Sequence, residues 1–430
     1  MLTHVAGFLV LPMHLHWLPI IIFLITYILI AVESGRGSHF DRTAAGFCGA
    51  VAMVFAGVVS LDAAYRAVSW DTIVFLLGIM LLVANFQIAH FFDWIALRIA
   101  IIAKTPFQFL VLLVFTSGIL AAFFVNDTIC LMFTPIVLIA TERLNLPNLP
   151  YLLALSTSAN IGSVMSVTGN PQNALVGVTA HFTFIEFLEH LAPVAFIALL
   201  LDVAILAFIF REQLWNVPPL QHHPGAPVVT IDRVLLTKCA IASGLVLVLW
   251  IMNFSFALAA AAVGALILII GRVKSEAVYH FVNWELLLFF AALFVVMQGF
   301  QNSGAVDYFI QFFAPGLKGS IASQLFSVSG TMLILSNLVS NVPAVLLVRP
   351  LIASFGNSHF LWLAVASTST LAGNATPISS VANLIVLQQA SRRTKIGFWE
   401  FTRVGLFVTV VTTLAAIALL AAEARFFSAM

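Results

Sequence analysis

Apolar stretches about 20 residues long recur along this chain and contain almost no charged side chain. Residues 70–92 and 284–301 contain one acidic residue each, and both have the length of a helix that crosses a bilayer core. The chain as a whole is 62% hydrophobic and 8% charged, whereas soluble domains carry about 25% charged residues. The stretches lack the alternation of membrane β-strands. The sequence therefore predicts an all-α polytopic membrane protein.

Two apolar regions, 107–140 and 321–349, are too long for one crossing and too short for two crossings with a loop. Each has polar residues in its middle, where a loop facing lipid would leave backbone groups unsatisfied. Each is therefore predicted to be a re-entrant hairpin that enters and leaves on the same side. The predicted crossings are 17–32, 43–60, 70–92, 151–177, 188–210, 233–251, 255–270, 284–301, 360–388 and 402–422.

The basic residues give this layout an orientation. Ten crossings and two hairpins place 14 Lys and Arg residues on one side and 4 on the other. The positive-rich side is cytoplasmic, so both termini are predicted outside, hairpin 107–140 opens to the cytoplasm and hairpin 321–349 opens to the exterior. We expect a multi-pass protein of the plasma (inner) membrane. No Lys or Arg precedes Arg36, so 17–32 is interpreted as a retained helix and not a cleaved signal.

The two halves of the chain resemble each other at a fixed offset of 214 residues. A four-residue shift then matches Asn173 with Asn383. Each half has five crossings, an odd number, so the halves must insert with opposite orientation. We therefore predict two inverted repeats, 1–215 and 216–430, each with a hairpin and a broken helix (151–177 or 360–388). The pairs matched at 214 are Trp70 with Trp284, Asp71 with Glu285, Asn126–Asp127 with Ser340–Asn341, and Asn160 with Asn374.

Four polar segments are predicted to reach the membrane midplane: 125–128, 340–343, 156–173 and 367–383. Unwound backbone at this depth is tolerated where it lines a wet cavity or binds something. Small residues could instead only pack helices together, but six side-chain amides in the two longer segments argue for a polar chamber. The candidate substrate-binding residues are Asn126, Thr128, Asn160, Asn170, Asn173, Ser340, Asn341, Asn374, Thr376 and Asn383.

Asp127 is the ionisable residue at the tip of the first hairpin. A carboxylate in the membrane is costly unless it is paired, hydrated or protonated. We interpret Asp127 as the ion- or proton-coupling site, with the proton as the expected coupling ion and sodium as the alternative. Capping of the following half-helix is the other role open to it, and both roles are compatible. Asp202 is either a second proton site or a partner of a neighbouring helix.

Enzymatic chemistry has no sequence support. The chain has no metal motif, nucleophile–base pair or phosphate-binding glycine loop, so no catalytic residue and no cofactor are predicted. Cys48, Cys130 and Cys239 lie far apart and match no metal-ligand spacing. The pair His222–His223 is interpreted as two solvated side chains in a loop, with a metal site as the alternative. The net charge of +1 implies no nucleic-acid partner. Any drive by ATP would require a separate ATPase subunit.

Four segments carry a family resemblance: FFVNDTICLMFTPIV, SANIGSVMSVTGNPQNALVG, SNVPAVLLV and LAGNATPISSVANLIV. They resemble the ion transporter superfamily, in particular the arsenite efflux permeases and their anion-permease relatives. The divalent anion:sodium symporters are similar more distantly. In that sodium-coupled branch each hairpin tip carries a Ser-Asn-Thr signature that touches substrate and sodium, and Ser340–Asn341 matches it. Val342 lacks the signature's hydroxyl, while Asn126–Asp127 is similar to the Asn-Asp pair of arsenite permeases.

The resemblance also implies how such a protein works. A transport domain of hairpins and broken helices, here 107–210 with 321–422, moves against a scaffold, here 17–92 with 233–301. Some branches form homodimers through the scaffold.

The expected function is secondary active transport. A fixed negative charge beside the site repels a di- or trivalent anion, whereas arsenic(III) and antimony(III) hydroxides are neutral at physiological pH. We therefore expect proton-coupled efflux of arsenite or antimonite, a small inorganic substrate, across the lipid bilayer. Sodium- or proton-coupled symport of sulfate or a di- or tricarboxylate, and sodium/proton antiport, remain as alternatives. A structural subunit is the hypothesis from outside the transporter class, but such a subunit would not need two matched polar chambers.

Overall fold

The computed structural model describes residues 16–33, 41–215, 229–355 and 358–429. In these ranges all regular secondary structure is helical, which confirms the all-α class. Seven of the described helices are long and apolar enough to cross a membrane, which confirms a polytopic membrane protein. The pair His222–His223 and the predicted repeat boundary at 215–216 fall on or beside 216–228, outside the described residues.

The first half contains eleven described α-helices. They are α1 (Trp17–Glu33), α2 (Arg42–Phe55), α3 (Leu61–Ala67), α4 (Trp70–Ile88), α5 (Phe91–Ile102), α6 (Pro106–Phe124), α7 (Asn126–Arg143), α8 (Asn148–Ser163), α9 (Pro171–Thr179), α10 (Phe184–Ile209) and α11 (Arg211–Trp215).

The second half contains ten described α-helices and two short 3₁₀ helices, Ala314–Leu317 and Ala372–Asn374. The α-helices are α12 (Arg233–Ile251), α13 (Phe256–Ile270), α14 (Ser275–Tyr279), α15 (Trp284–Asn302), α16 (Ala305–Phe313), α17 (Ile321–Val339), α18 (Asn341–Ser354), α19 (His359–Leu371), α20 (Val381–Ala390) and α21 (Phe398–Ala429).

The order of helices recurs between the halves. α4 and α15 are both 19 residues long and begin at Trp70 and Trp284, which are 214 positions apart. A residue with left-handed backbone, His90 or Gly304, precedes the next helix in each half. α6 and α17 are again 19 residues each. The opposite membrane orientation of the two halves, and the sides on which the hairpins open, stay predictions.

The two stretches predicted as broken helices are each interrupted in the structure. The stretch 151–177 becomes α8 and α9 with a non-helical connection, and 360–388 becomes α19, a 3₁₀ turn and α20. Each region predicted as a hairpin becomes two helices. The limbs α6 and α17 are long enough to count among the seven possible spans, since 19 helical residues extend about 28 Å. α5 and α16 were not predicted.

The described chain divides into two compact units. One unit contains α1–α3, nearly all of α15, and α16. In it, Phe23 stacks on Phe300 with ring centroids 4.2 Å apart, and the Tyr27 hydroxyl lies 3.9 Å from the sulfur of Met297. Helix α1 of the first half thus packs on α15 of the second half.

The other unit contains α4–α14 and α17–α21, including both hairpins and both broken helices. Within it α4 packs closely against α13. A Cβ added to Gly78 would lie 2.3 Å from the carbonyl carbon of Ala260, so the two backbones meet without an intervening side chain. α4, α12 and α13, which the resemblance assigns to the scaffold, therefore belong to the same compact unit as the hairpins.

Substitution of Gly78 by Ala should destabilise this unit. The added methyl group would overlap the α13 backbone at Ala260 and Ala261, and overpacking of this kind costs about 1–3 kcal/mol. Gly330→Ala in α17 is the matched control, because a Cβ there meets nothing within 4 Å and removal of a helical glycine stabilises by up to about 1 kcal/mol. Thermal unfolding in detergent should show Gly78→Ala melting below, and Gly330→Ala at or above, the parent chain. Equal melting of both variants would contradict the packing described.

Candidate functional site

The first hairpin lies along α8 with its tip at the break between α8 and α9. The Tyr151 hydroxyl, near the start of α8, donates to the carbonyl of Pro106 at 3.2 Å. Asn126, the first residue of α7, donates from Nδ2 to Asn160 Oδ1 at 2.9 Å. The Thr141 hydroxyl, near the end of α7, hydrogen-bonds Asn148 at the start of α8. Both ends of the hairpin therefore lie beside the start of α8, and α6 and α7 run antiparallel.

The tip itself is a single residue in each hairpin. Val125 separates α6 from α7 with φ +64°, and Ser340 separates α17 from α18 with φ +72°. Positive φ is unfavourable for residues with a side chain, and most of all for a β-branched one. Asn126 and Asn341 follow as the first residues of the second limbs. The predicted match of Asp127 with Asn341 is therefore wrong by one position, because the junctions are 215 residues apart, and Val342 is the counterpart of Asp127.

The two broken helices approach each other from opposite ends. Asn148 at the start of α8 donates to the Thr394 hydroxyl, just beyond the end of α20, at 2.5 Å. His359 at the start of α19 packs on Phe182, just beyond the end of α9, with centroids 4.7 Å apart. Where each helix breaks, Asn160 Nδ2 donates to Asn374 Oδ1 at 2.9 Å. The two breaks therefore meet in the interior of this unit.

Each break is closed by an asparagine side chain. Asn173 Nδ2 donates to the carbonyls of Ser163 and Ser166 at 2.9 and 3.0 Å. Asn383 Nδ2 donates to the carbonyls of Gly373 and Thr376 at 2.7 and 2.9 Å. Interrupted helices leave such carbonyls without intrahelical partners. The two amides, matched in sequence by the four-residue shift, thus perform the same structural task.

Asn160 is the residue on which the segments converge. Its Oδ1 accepts from Asn126 at 2.9 Å and from the Ser380 hydroxyl at 3.1 Å. Its Nδ2 donates to Asn374 Oδ1 at 2.9 Å and to Asn383 Oδ1 at 3.0 Å. Asn160 is 1% exposed. One amide therefore joins the first hairpin tip to both broken helices.

Thr370 joins the breaks a second time. Its hydroxyl oxygen accepts from Asn170 Nδ2 at 3.1 Å and from Gln172 Nε2 at 3.3 Å. Its hydroxyl also lies 3.3 Å from Asn173 Oδ1. Asn170 in turn caps α9 by accepting the N–H of Asn173 at 2.8 Å. All four side chains are buried, so this part of the chamber is filled by protein–protein hydrogen bonds.

The second hairpin tip is different, because it holds acceptors without partners. Asn341 Oδ1 and Asn337 Oδ1 are buried and have no hydrogen-bond partner among the described residues. Asn337 Nδ2 is used, since it donates to the carbonyl of Ala372 at 3.4 Å. A Cβ added to Gly373 would come within 3.5 Å of Asn341 Nδ2 and 3.6 Å of Asn160 Nδ2. Gly373 thus keeps the space between this tip and the Asn160 cluster narrow and free of a side chain.

Asp127 lies next to this network. It is half-buried in the first turn of α7, where the helix dipole favours a negative charge. Its backbone N–H donates to Asn126 Oδ1 at 3.0 Å. No Lys or Arg occurs in 125–128, 156–173, 340–343 or 367–383. The chamber segments therefore contain one acidic group and no fixed cation.

The structure brings six of the ten candidate residues together in two hydrogen-bonded clusters, places Asn341 at the second hairpin tip outside both, and leaves three others aside. Asn126, Asn160, Asn374 and Asn383 form one hydrogen-bonded cluster, and Asn170 with Asn173 forms the neighbouring one. Within the described ranges, the side chains of Thr128, Ser340 and Thr376 join neither cluster. Residues that sequence reasoning did not single out are Ser156, Ser163, Asn337, Thr370 and Ser380.

Metal chemistry finds no support in the described part of the chain. No three His, Cys, Asp or Glu side chains there cluster as metal ligands, and the described cysteines are unpaired thiols. The arrangement can instead hold a polar molecule by hydrogen bonds, with one ionisable group beside it.

Comparison with known proteins gives the family. An uncharacterized transporter of Mycobacterium tuberculosis is 31% identical over 417 residues, covering 91% of this chain and 94% of the relative. The silicon efflux transporter LSI3 of rice (Oryza sativa subsp. japonica) is 27% identical and covers 86% and 90%. The crystal structure of the Alcanivorax borkumensis YdaH transporter shares the fold, with a TM-score of 0.56, 13% identity and coverage of 95% and 97%.

These proteins are transporters and point to a permease rather than an enzyme. The family model described as citrate transporter (CitMHS) matches residues 27–370, most of the chain. The resemblance to the ion transporter superfamily is thereby confirmed, and the chain belongs to the CitMHS family of secondary transporters.

Proposed function

We propose that this permease exports a small neutral polyhydroxyl compound, arsenite or antimonite, across the plasma membrane in exchange for protons. The observation that carries the proposal is the chemistry of the second hairpin tip. Asn337 and Asn341 present buried acceptor oxygens that lack donors. Arsenic(III) hydroxide carries three O–H donors and no charge at physiological pH. It could satisfy these acceptors, and a buried acceptor without a donor is unfavourable by about 1–3 kcal/mol.

Anionic substrates suit this chamber less well, although the family description names citrate. A carboxylate or sulfate brings acceptors and negative charge, so it needs donors or cations. The chamber segments contain no Lys or Arg and one acidic residue, Asp127. At short range and low effective dielectric, repulsion between like charges reaches several kcal/mol. Sodium- or proton-coupled anion symport is the second candidate, and the family description favours it.

The rice relative supports an uncharged substrate. Its name describes silicon efflux, and silicon dissolves at neutral pH as uncharged silicic acid, again a compact polyhydroxyl. The shared chemistry is a central atom surrounded by O–H groups. Asn, Ser and Thr side chains are matched to such a ligand because they donate and accept in several directions.

Asp127 is the proposed coupling group. It is half-buried at a helix start beside Asn126, whose amide bonds Asn160 at 2.9 Å. A change of charge at Asp127 therefore acts one residue away from the cluster that joins the hairpin to both broken helices. Protons are the proposed coupling ion, and sodium held by the same carboxylate is the alternative. An ATPase subunit and a homodimer are not needed for this mechanism.

Transport assays in everted membrane vesicles should distinguish proton-coupled arsenite export from anion symport. With an acid interior, vesicles containing the parent chain should accumulate arsenite, and a protonophore should abolish the accumulation. Asp127→Asn should lower it at least tenfold, because the amide cannot carry the proton. Sulfate, citrate and silicic acid are assayed in parallel, with pH and sodium gradients imposed separately. Sodium-driven citrate uptake that is insensitive to Asp127→Asn would reject the proposal in favour of anion symport.

Removal of the acceptor at Asn341 should weaken substrate binding. Asn341→Leu keeps the approximate shape but removes Oδ1, and a lost neutral hydrogen bond costs about 0.5–1.5 kcal/mol. The apparent KM for arsenite should therefore rise about 3- to 10-fold. Ser354→Ala is the control, because Ser354 lies at the far end of the same helix and its hydroxyl donates to the carbonyl of Leu351 within that helix. An unchanged KM in Asn341→Leu would remove this residue from the binding site.

A further inference from the structure

A second carboxyl group lies deep in the same compact unit as the hairpins. Asp202 in α10 is fully buried. Its Oδ2 is 2.9 Å from the hydroxyl of Thr157 on α8. Its Oδ1 is also buried and has no hydrogen-bond partner among the described residues. The function proposed above makes no use of this group.

No described cation pairs with Asp202. The helices packed against α10 are α6, α8, α11, α12, α19 and α21. Of these, α6 has no titratable residue, and α8 has only Tyr151. The other charged or titratable residues on these helices and on α10 itself are Glu186, Glu189, His190, Arg211, Glu212, Arg233, Lys238, Cys239, His359, Glu400, Arg403, Glu423 and Arg425.

The charged residues of α10 itself lie in its first two turns, far from Asp202 along the helix axis. His190 is twelve residues away on α10, about 18 Å at 1.5 Å per residue. His190 is also already paired with Glu423, at 2.7 Å. An ionised Asp202 would therefore be an uncompensated charge in a membrane interior, which is strongly unfavourable.

The hydroxyl of Thr157 shows which form of the carboxyl fits. This hydroxyl has one proton, and it lies 2.9 Å from both the Leu153 carbonyl and Asp202 Oδ2. An ionised carboxylate would compete with the carbonyl for that proton and would leave a negatively charged Oδ1 without a donor. A protonated carboxyl donates to Thr157 Oγ1 while Thr157 donates to Leu153. Only the protonated form satisfies both short contacts.

We propose that Asp202 is a proton-binding site, occupied in this conformation and coupled through Thr157 to the amide cluster. Thr157 is three residues before Asn160, and its carbonyl accepts from Asn374 Nδ2 at 3.4 Å. Because Thr157 and Asn160 lie on the same helix, a movement of α8 that changes the Thr157–Asp202 contact also moves Asn160. The coupling to transport rests on the proposed function, whereas the bound proton does not.

Infrared spectroscopy of the reconstituted full-length chain tests the bound proton directly. A protonated carboxyl has a C=O stretch separate from that of carboxylates, and this band shifts in D₂O. The band should be present in the parent chain and in Asp127→Asn, and absent in Asp202→Asn. Asp62→Asn on α3 is the control, because the Asp62 side chain is exposed. A spectrum unchanged by Asp202→Asn would overturn the proposal.

A second variant keeps the test informative if Asp202→Asn does not fold. Thr157→Val keeps Asp202 but removes its hydrogen-bond partner, so the C=O band should move to higher frequency without disappearing. A band that does not move in Thr157→Val would contradict the geometry. In the vesicle assay, Asp202→Asn should lower proton-driven accumulation at least tenfold, with Asp62→Asn unchanged, and full accumulation would reject the coupling. The infrared outcome does not depend on the substrate, so an error in the proposed substrate leaves it decisive.

Discussion

Backbone carbonyls at membrane depth must find hydrogen-bond donors, and the interior of this protein is organised around that requirement. Each broken helix leaves carbonyls without intrahelical donors, lipid cannot supply those donors, and each unsatisfied group would cost several kcal/mol. Asn173 and Asn383 supply the donors from within the chain, with four contacts of 2.7–3.0 Å. Because both amides face inward, the breaks can meet, and Asn160 can bridge them to the first hairpin. The chamber is thus a consequence of satisfying interrupted helices.

The two halves of the chain also depend on each other for packing. α2 packs on α15 through Gly46 and Phe289, whereas α4 packs on α13 through Gly78 and Ala260. An early helix of the first half, α2, thus packs on α15 of the second half, and an early helix of the second half, α13, packs on α4 of the first. This exchange explains why the compact units are not the two predicted repeats. A division into scaffold and moving part, as the resemblance implies, would separate α4 and α13 from hairpins with which they share a unit.

The sequence predicted those features in which polar residues interrupt apolar helix. Amides and prolines in an oily segment are conspicuous, so the hairpin tips, both breaks and the match of Asn173 with Asn383 could be found. The register at the tips could not, because one junction residue, Val125 or Ser340, shifts the match by one position without changing the composition. Thr370 and Ser380 were missed because hydroxyl residues commonly bond the preceding turn of their own helix. Their bonds across the chamber depend on tertiary packing.

The short helices α5 and α16 were missed for another reason. At 12 and 9 residues they are too short to cross a membrane, so a search for spans assigns them to loops. Each follows a left-handed residue, His90 or Gly304, that turns the chain after a long helix. Only Gly304 carries a signal in sequence, since glycine adopts this conformation readily and histidine does so less often.

The two similar hairpins have unequal chemistry, and the proposed coupling of a proton to a substrate depends on this inequality. Orphaned polar atoms of the two hairpins, within the described residues, lie on the second: Ser329, Ser336, Asn337 and Asn341. The first hairpin instead has an acid, Asp127, and an amide, Asn126, already bonded to Asn160. A ligand that occupied the second tip would lie near Asn160 Nδ2, which is 3.6 Å from the Cβ position of Gly373. Rearrangement of that amide would in turn disturb its bond to the hairpin that bears the acid. If the two tips were chemically alike, either hairpin could bind the proton or the substrate, and nothing would assign one to each.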